Sequence, residues 1–193
     1  MISKQSGVSI FFPCYNDRRS IGQLIKMAAR TVKKFTNKFE IIVIDDGSKD
    51  GSREFLKTLK EKYSFLKLIF HQKNQGYGGA LRSGFKAAKY EYIFYTDGDG
   101  QYNASDLSLL LYLMSDEIDF INGIKMSRHD PTYRIVIGNI YSFLMRWLFW
   151  VPIIDIDCDF RLIRKKIVKQ IHLKSNSGAI CIEMVKKSQL VGA

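Results

Sequence analysis

Cysteine, proline and histidine are all scarce in this 193-residue sequence, with three of each. Cys14, Cys158 and Cys181 are odd in number, widely separated and without a CxxC spacing. That excludes a disulfide scaffold or a zinc finger and suits a reducing cytosol. So few prolines, with no repeat and no low-complexity tract, leave no linker, and the length suits one domain with a sizeable core. The N-terminus lacks the basic-then-apolar layout of a signal peptide. His71, His129 and His172 lie in unrelated segments at no metal-ligand spacing, which favours surface or hydrogen-bonded core roles. No His/Asp arrangement accompanies Cys14, so a cysteine nucleophile is rejected. Neither GxxxxGK[ST] nor GxGxxG at the right offset occurs, which removes two common nucleotide-binding signatures.

What the sequence does have is charge of one sign. Thirty Lys and Arg oppose 19 Asp and Glu, a net charge of +11. The excess invites nucleic acid, an anionic membrane or a phosphorylated substrate. Hydrophobic content of 46% is that of a globular chain, which excludes disorder.

Apolar runs and helical periodicities alternate along the first 124 residues. Val8–Phe12, Phe39–Asp45, Leu66–Phe70, Glu91–Thr96 and Ile118–Ile124 read as strands. Between them, Ile21, Leu24, Ile25, Ala28, Val32 and Phe35 recur at helical spacing behind a capping box at Ser20–Gln23. Asp50 is placed to cap a helix whose inner face is Phe55, Leu56, Leu59 and Tyr63. A glycine-rich loop, Asn74–Gly79, leads into a third helix running to about Lys89, and Ser105 is placed to cap a fourth running to Met114. Alternation of this kind, with nearly unbroken apolar strands, predicts an α/β fold: a Rossmann-like, mostly parallel sheet with helices on both faces. Ligands of such sheets bind beyond the carboxyl ends of the strands, and two acidic clusters, at 45–46 and 97–99, fall there.

Asp97, Asp99 and Gln101 stand at alternate positions, so an extended segment points all three to one face. Oxygen donors of this kind suit Mg²⁺ or Mn²⁺ shared with substrate phosphates; an ordinary polar turn is the other reading. Asp45 and Asp46 end a strand, where a carboxylate accepts hydrogen bonds from a ribose or base, or simply caps the next helix. Asn74–Gly79 offers backbone N–H groups to phosphate at a helix N-terminus. Arg134–Ile154 is strongly apolar, but a bilayer span needs about 20 apolar residues with few charges. Asn139, Arg146 and Pro152 argue against a span; Trp147 and Trp150 beside Arg146 suit either a helix lying in a membrane interface or one buried on the sheet.

Four segments in order resemble the motifs of a family-2 glycosyltransferase of GT-A fold. They are Pro13-Cys14-Tyr15-Asn16, Asp45-Asp46-Gly47-Ser48, Asn74–Gly79 with Ala80 and Arg82, and Asp97-Gly98-Asp99. Gln101 makes the last similar to the D-x-D-x-Q of the dolichol-phosphate mannosyltransferase, or polyprenyl-phosphate glycosyltransferase, branch. The resemblance covers roughly residues 8–190 and implies one GT-A catalytic domain over residues 1–193. It implies that Pro13, Tyr15, Asn16, Asp17, Asp46, Gly78, Asp97, Gly98 and Asp99 hold a UDP- or GDP-sugar. Asp97, Asp99 and Gln101 would hold Mg²⁺ or Mn²⁺, and Lys125 and Arg134 would receive the phosphate of a polyprenyl-phosphate acceptor. Asp155–Arg161 aligns with the branch's D-x-T-S-G-F-R, which makes Asp157, Asp159 and Arg161 catalytic candidates beside Asp99. Cys158 and Asp159 depart from that pattern.

The implied reaction is an inverting, metal-dependent transfer in one displacement, on the cytosolic face of an anionic membrane to which the protein binds peripherally. A lipid-phosphate acceptor, largely dianionic at neutral pH with a second pKa of about 6, needs little general-base help. A sugar hydroxyl acceptor would need a base, for which Asp157 and Asp159 are the candidates. An inactive glycosyltransferase-like scaffold is the alternative outside catalysis. Carboxylates gathered at the cleft repel phosphate unless a cation intervenes, which argues against nucleic acid. Relatives in this branch continue past the equivalent of Ala193, so the resemblance also implies a chain truncated at its C-terminus.

Overall fold

A computed structural model describes residues 1–124, 147, 150, 155, 156 and 158–193. Six strands form one sheet: β1 (Val8–Cys14), β2 (Phe39–Asp45), β3 (Leu66–Phe70), β4 (Tyr92–Thr96), β5 (Phe120–Asn122) and β6 (Phe160–Arg164). Their order is β3-β2-β1-β4-β6-β5. The first four are parallel, β6 runs antiparallel to β4, and β5 is antiparallel to β6.

The predicted two-faced burial is written into alternate residues. Val8, Ile10, Phe12, Ile41, Val43, Tyr92 and Phe94 face one core. Phe11, Ile42, Ile44, Ile93 and Tyr95 face the other. On the first face lie α1 (Ile21–Val32), α2 (Ser52–Lys62) and α4 (Leu107–Leu113), through Ile25, Leu56 and Leu110 among others. On the second lie α3 (Tyr77–Ala87), α5 (Lys165–Gln170) and α6 (Ile180–Leu190), through Leu81, Ile167 and Met184. Period-two strands buried on both sides need apolar residues at every position, which is why β1 and β2 read as unbroken runs.

Several local expectations are corrected. Ser20 does not cap α1; its hydroxyl donates to Gly98 O at 2.6 Å and ties the helix start to the loop after β4. Asp50 stands one residue ahead of the α2 cap, Gly51, yet its carboxylate still accepts from Ser52 N at 3.0 Å. Asn103, not Ser105, caps the turn before α4, accepting from Ser105 N at 3.1 Å. The predicted fifth strand shortens to three residues, and β6 is a strand that apolar periodicity does not announce. The apolar Arg134–Ile154 stretch lies outside the described residues except for Trp147 and Trp150, which are 69% and 78% exposed. No helix among the described residues is long and apolar enough to cross a membrane.

Candidate active site

The cleft opens where β1, β2 and β4 end. It holds about 320 Å³ and is lined by Pro13, Tyr15, Asp17, Asp46, Asp97, Gly98 and Asp99, with Asn74 and Gly76 from the loop before α3 and Tyr77 at its first position. Parallel strands deliver these residues together: Asp46 N donates to Cys14 O at 2.9 Å, fixing the end of β2 against the end of β1. A second cavity of about 750 Å³ shares Asp17 and Asp99 with the first and adds Asn16, Gln23, Gln101 and Asn103.

The adjacent acids Asp45 and Asp46 have separate roles. Asp45 is buried and paired with Arg53 Nε at 2.5 Å. Asp46 lines the cleft, and its Oδ1 accepts from His71 Nδ1 at 2.6 Å and Gln75 N at 2.8 Å. His71 continues to Ser83 Oγ, 2.9 Å from its Nε2. The sequence leaves His71 either at the surface or hydrogen-bonded in the core; the structure shows the second, with a cleft carboxylate as partner.

Asn16, expected in the nucleotide cradle, is absent from the first cleft and works as a clamp between loops. At φ 61° it occupies the left-handed region, its N–H donates to Ser48 Oγ at 2.9 Å, and its Oδ1 accepts from Lys49 N at 2.8 Å. Asparagine tolerates that backbone better than most side chains.

The glycine-rich loop is also used differently from the expectation of a phosphate cradle. Gln75 N is taken by Asp46, Gly76 N by Asn74 Oδ1, and Gly78 N by Asn176 O at 3.0 Å. A Cβ on Gly78 would stand 2.1 Å from Ser175 O, so this glycine admits a neighbouring backbone. Arg82 locks the same loop by donating to Lys174 O, Ser175 O and Asn176 Oδ1.

After β4 the chain turns instead of extending. Gly100 has φ 83°, and Gln101 N closes the turn on Asp99 Oδ1 at 2.9 Å. The one-face expectation is therefore corrected: Asp97 lines the first cleft, Gln101 the second, and Asp99 both. Gly98 is a point of closest approach, where a Cβ would meet Pro13 O at 2.5 Å and Asp17 Oδ2 at 3.0 Å. Gly98→Ala is expected to push the turn off β1, lowering stability by about 1–3 kcal/mol in a thermal melt.

Behind the turn, burial raises the Asp97 carboxyl to about 8, with the Asp159 charge adding to the lift. Asp159 is raised as well, by burial first, while Arg161 opposes. Tyr77 lies near enough to favour the charged form of each. Asp97 Oδ1 is nevertheless buried without a hydrogen-bond partner. Asp17, half-buried, is raised by burial and then by the charges of Asp99 and Asp50. The cleft mouth is thus short of positive charge.

A divalent cation fits this deficit. The orphaned Asp97 oxygen and the neighbouring Asp99 are hard oxygen donors of the kind Mg²⁺ and Mn²⁺ take. Among the described residues no three His, Cys, Asp or Glu side chains form a protein cage for a metal. Two carboxylates suffice where substrate phosphates and water complete the shell.

Arg161 is not at the surface of the cleft. It is fully buried, with Nη1 donating to Tyr95 Oη at 2.7 Å, Nε to Asn122 Oδ1 at 2.6 Å and Nη2 to Ile156 O at 2.5 Å. Its Nη1 lies 3.8 Å from Asp159 Oδ1, so it supports that acid from beneath. Asp159 Oδ1 also accepts from Cys181 Sγ at 3.0 Å, and the Asp159 backbone N–H donates to Tyr102 Oη at 3.3 Å. Cys14 is buried and its thiol is pushed up to about 12, mainly by burial, consistent with an inert role. Lys125, Arg134 and Asp157 lie outside the described residues.

Comparison with known proteins agrees with this architecture. A mannosyltransferase from Pyrobaculum calidifontis, solved in complex with GDP-Man and Mn²⁺, superposes with TM-score 0.61 at 17% identity, over 88% of this chain and 48% of that one. Glucosyl-3-phosphoglycerate synthase from Mycobacterium tuberculosis, with Mn²⁺, UDP and phosphoglyceric acid, gives TM-score 0.71 at 14% identity, over 93% and 63%. These likenesses show the GT-A glycosyltransferase fold. In sequence, an undecaprenyl-phosphate 4-deoxy-4-formamido-L-arabinose transferase from Pseudomonas savastanoi is 29% identical over 83% of this chain and 48% of its own length. A transferase of the same name from Yersinia pestis is 27% identical over 91% and 54%. The chain spans about half the length of these relatives. Residues 9–172 match the family described as Glycosyl transferase family 2, and the chain belongs to that family.

Proposed function

We propose that the chain transfers a sugar from a UDP- or GDP-sugar to a polyprenyl phosphate, with inversion at the anomeric carbon. The observation that carries the donor half is the cleft itself: Asp17, Asp46, Asp97 and Asp99 line it, and the buried Asp97 Oδ1 has no partner. A diphosphate is repelled by such a mouth unless it arrives with a cation, so donor and metal enter as a pair. In this reading Asp46 accepts from the nucleoside, Tyr15, half exposed at the lip, packs beside it, and Asp97 and Asp99 hold Mg²⁺ or Mn²⁺. When bound, the metal neutralises the charge that builds on the departing diphosphate. The acceptor oxygen forms its bond to the anomeric carbon as the carbon–oxygen bond to the diphosphate breaks, and the leaving group keeps the electron pair.

The acceptor half is supported by the two relatives, whose names specify undecaprenyl phosphate. A phosphomonoester acceptor is already a dianion at neutral pH and needs no base. Peripheral binding to an anionic membrane belongs to the same proposal, with exposed Trp147 and Trp150 and the +11 charge as its support. Product analysis tests the acceptor. With Mn²⁺ and labelled UDP- and GDP-sugars, label is expected to partition with added undecaprenyl or dolichyl phosphate. Transfer to soluble sugars instead would identify a hydroxyl acceptor, with Asp159 the described candidate for its base.

A further inference from the structure

Asp46, His71 and Ser83 form a continuous hydrogen-bonded chain from the donor cleft to helix α3. We propose that His71 is a positioning residue for nucleoside recognition: it holds the Asp46 carboxylate in the orientation that receives the donor, and Ser83 holds His71. This inference rests on the donor-site reading above and adds to it a second layer that no cleft-lining residue supplies.

The chemistry of the three groups sets the direction of the chain. An ionised carboxylate only accepts, so the imidazole nitrogen 2.6 Å from Asp46 Oδ1 must carry a proton. In the neutral ring the other nitrogen is then an acceptor, and Ser83 Oγ, 2.9 Å away, donates to it. The carboxylate sets the tautomer, and Ser83, whose hydroxyl can donate, satisfies the ring nitrogen left as acceptor and anchors the imidazole to α3.

Both bonds to the Asp46 side chain fall on Oδ1, from His71 and from Gln75 N. Oδ2 is therefore the oxygen left for a ligand in the cleft that Asp46 lines. A base N–H or ribose hydroxyl is the partner such an acceptor selects. His71 is itself fixed by more than this contact: it is buried, its N–H donates to Asp45 O at 2.9 Å, and its carbonyl accepts from Arg53. The strand end that carries the histidine is thus held by Asp45, while its ring holds Asp46. A carboxylate secured on one oxygen binds without first losing rotational freedom, which is how a supporting residue raises affinity without touching the ligand.

The test compares His71→Ala, His71→Asn and Ser83→Ala with the unaltered chain, by calorimetric titration with UDP and with GDP in the presence of Mn²⁺. Thermal melts confirm that each variant is folded. His71→Ala is expected to weaken the preferred nucleotide by roughly ten-fold or more, the range seen when a supporting partner of a ligating group is removed. His71→Asn, whose amide N–H can replace Nδ1 as donor, is expected to recover most of that loss. Ser83→Ala, on a helix where alanine is well tolerated, is expected to cost a few-fold. In transfer assays the His71→Ala loss should fall on the donor KM with kcat little changed, a split that general destabilisation would not produce. Equal nucleotide affinity in the unaltered chain and in folded His71→Ala and Ser83→Ala would overturn the positioning role alone. Failure of the unaltered chain to bind either nucleotide would overturn the donor-site reading and this inference with it.

Discussion

Replacing Arg161 with methionine is expected to lower the unfolding free energy by about 3–5 kcal/mol, the cost of breaking a buried charged network by removing one partner. The guanidinium is wholly inaccessible and donates to Tyr95 Oη, Asn122 Oδ1 and Ile156 O, joining β4, β5 and the segment before β6. Methionine fills much of the volume but leaves those three acceptors without this donor and removes the cation 3.8 Å from Asp159. Lysine is expected to fare little better, because one ammonium cannot reproduce a planar fork with separate donors to three directions. Domains have only about 5–15 kcal/mol to lose, so either variant should unfold at markedly lower urea concentration. A loss below about 1 kcal/mol in urea denaturation would show that the network is not what holds β5 and β6 on the sheet.

Asp97→Asn is expected to move stability and binding in opposite directions. The carboxyl is raised from its ordinary 3.8 to about 8, so the native state keeps a proton that the unfolded chain gives up. A raised acid favours the fold below about pH 4, and that contribution is lost as pH climbs toward 8, where the buried group must ionise. A tenfold change in acidity corresponds to about 1.36 kcal/mol between the protonation states. Asparagine keeps the shape without the charge. In metal-free buffer its melting temperature is therefore expected to exceed that of the unaltered chain at pH 8, with the gap closing toward pH 5. A gain of even ~1 kcal/mol corresponds to roughly 2–4 °C in a chain of this size. The same variant should lose Mn²⁺-dependent nucleotide binding. A lower melting temperature at pH 8 would contradict the claim that Asp97 is held in a costly state for the sake of a cation.

The parallel part of the fold was legible because its cause is local. Ile10 and Phe11, or Ile42 and Val43, are adjacent apolar residues facing opposite cores, and only a strand buried on both sides requires that. The cleft acids were legible for a related reason: Asp46 and Asp97 directly follow such strands, where a parallel sheet delivers its loops.

What escaped the sequence depends on partners far along the chain. Strand β6 carries Arg161, which the resemblance makes a catalytic candidate, and Arg164, and both are buried on partners that the sequence does not reveal. For Arg164 the acidic partners are Glu91 at 2.6 Å, Asp119 at 3.2 Å and Asp116 at 3.3 Å. His71 lay beyond reach similarly, its two ring partners being 25 and 12 residues away. The expected Asn74–Gly79 loop ends sooner, because α3 already begins at Tyr77, and Gly76 and Gly78 admit Asn176 and Ser175, which spacing within the segment does not reveal. The turn at Gly100 separates Gln101 from Asp97, an outcome decided by one positive φ.

The central claim is that carboxylates at the strand ends bind a nucleoside diphosphate through a divalent cation. Calorimetric titration of UDP and GDP, with and without Mn²⁺, into the unaltered chain and Asp99→Ala measures it directly. Binding of one nucleotide that needs Mn²⁺ and disappears in Asp99→Ala is the predicted result; equal binding with or without the metal, or in the variant, would contradict it.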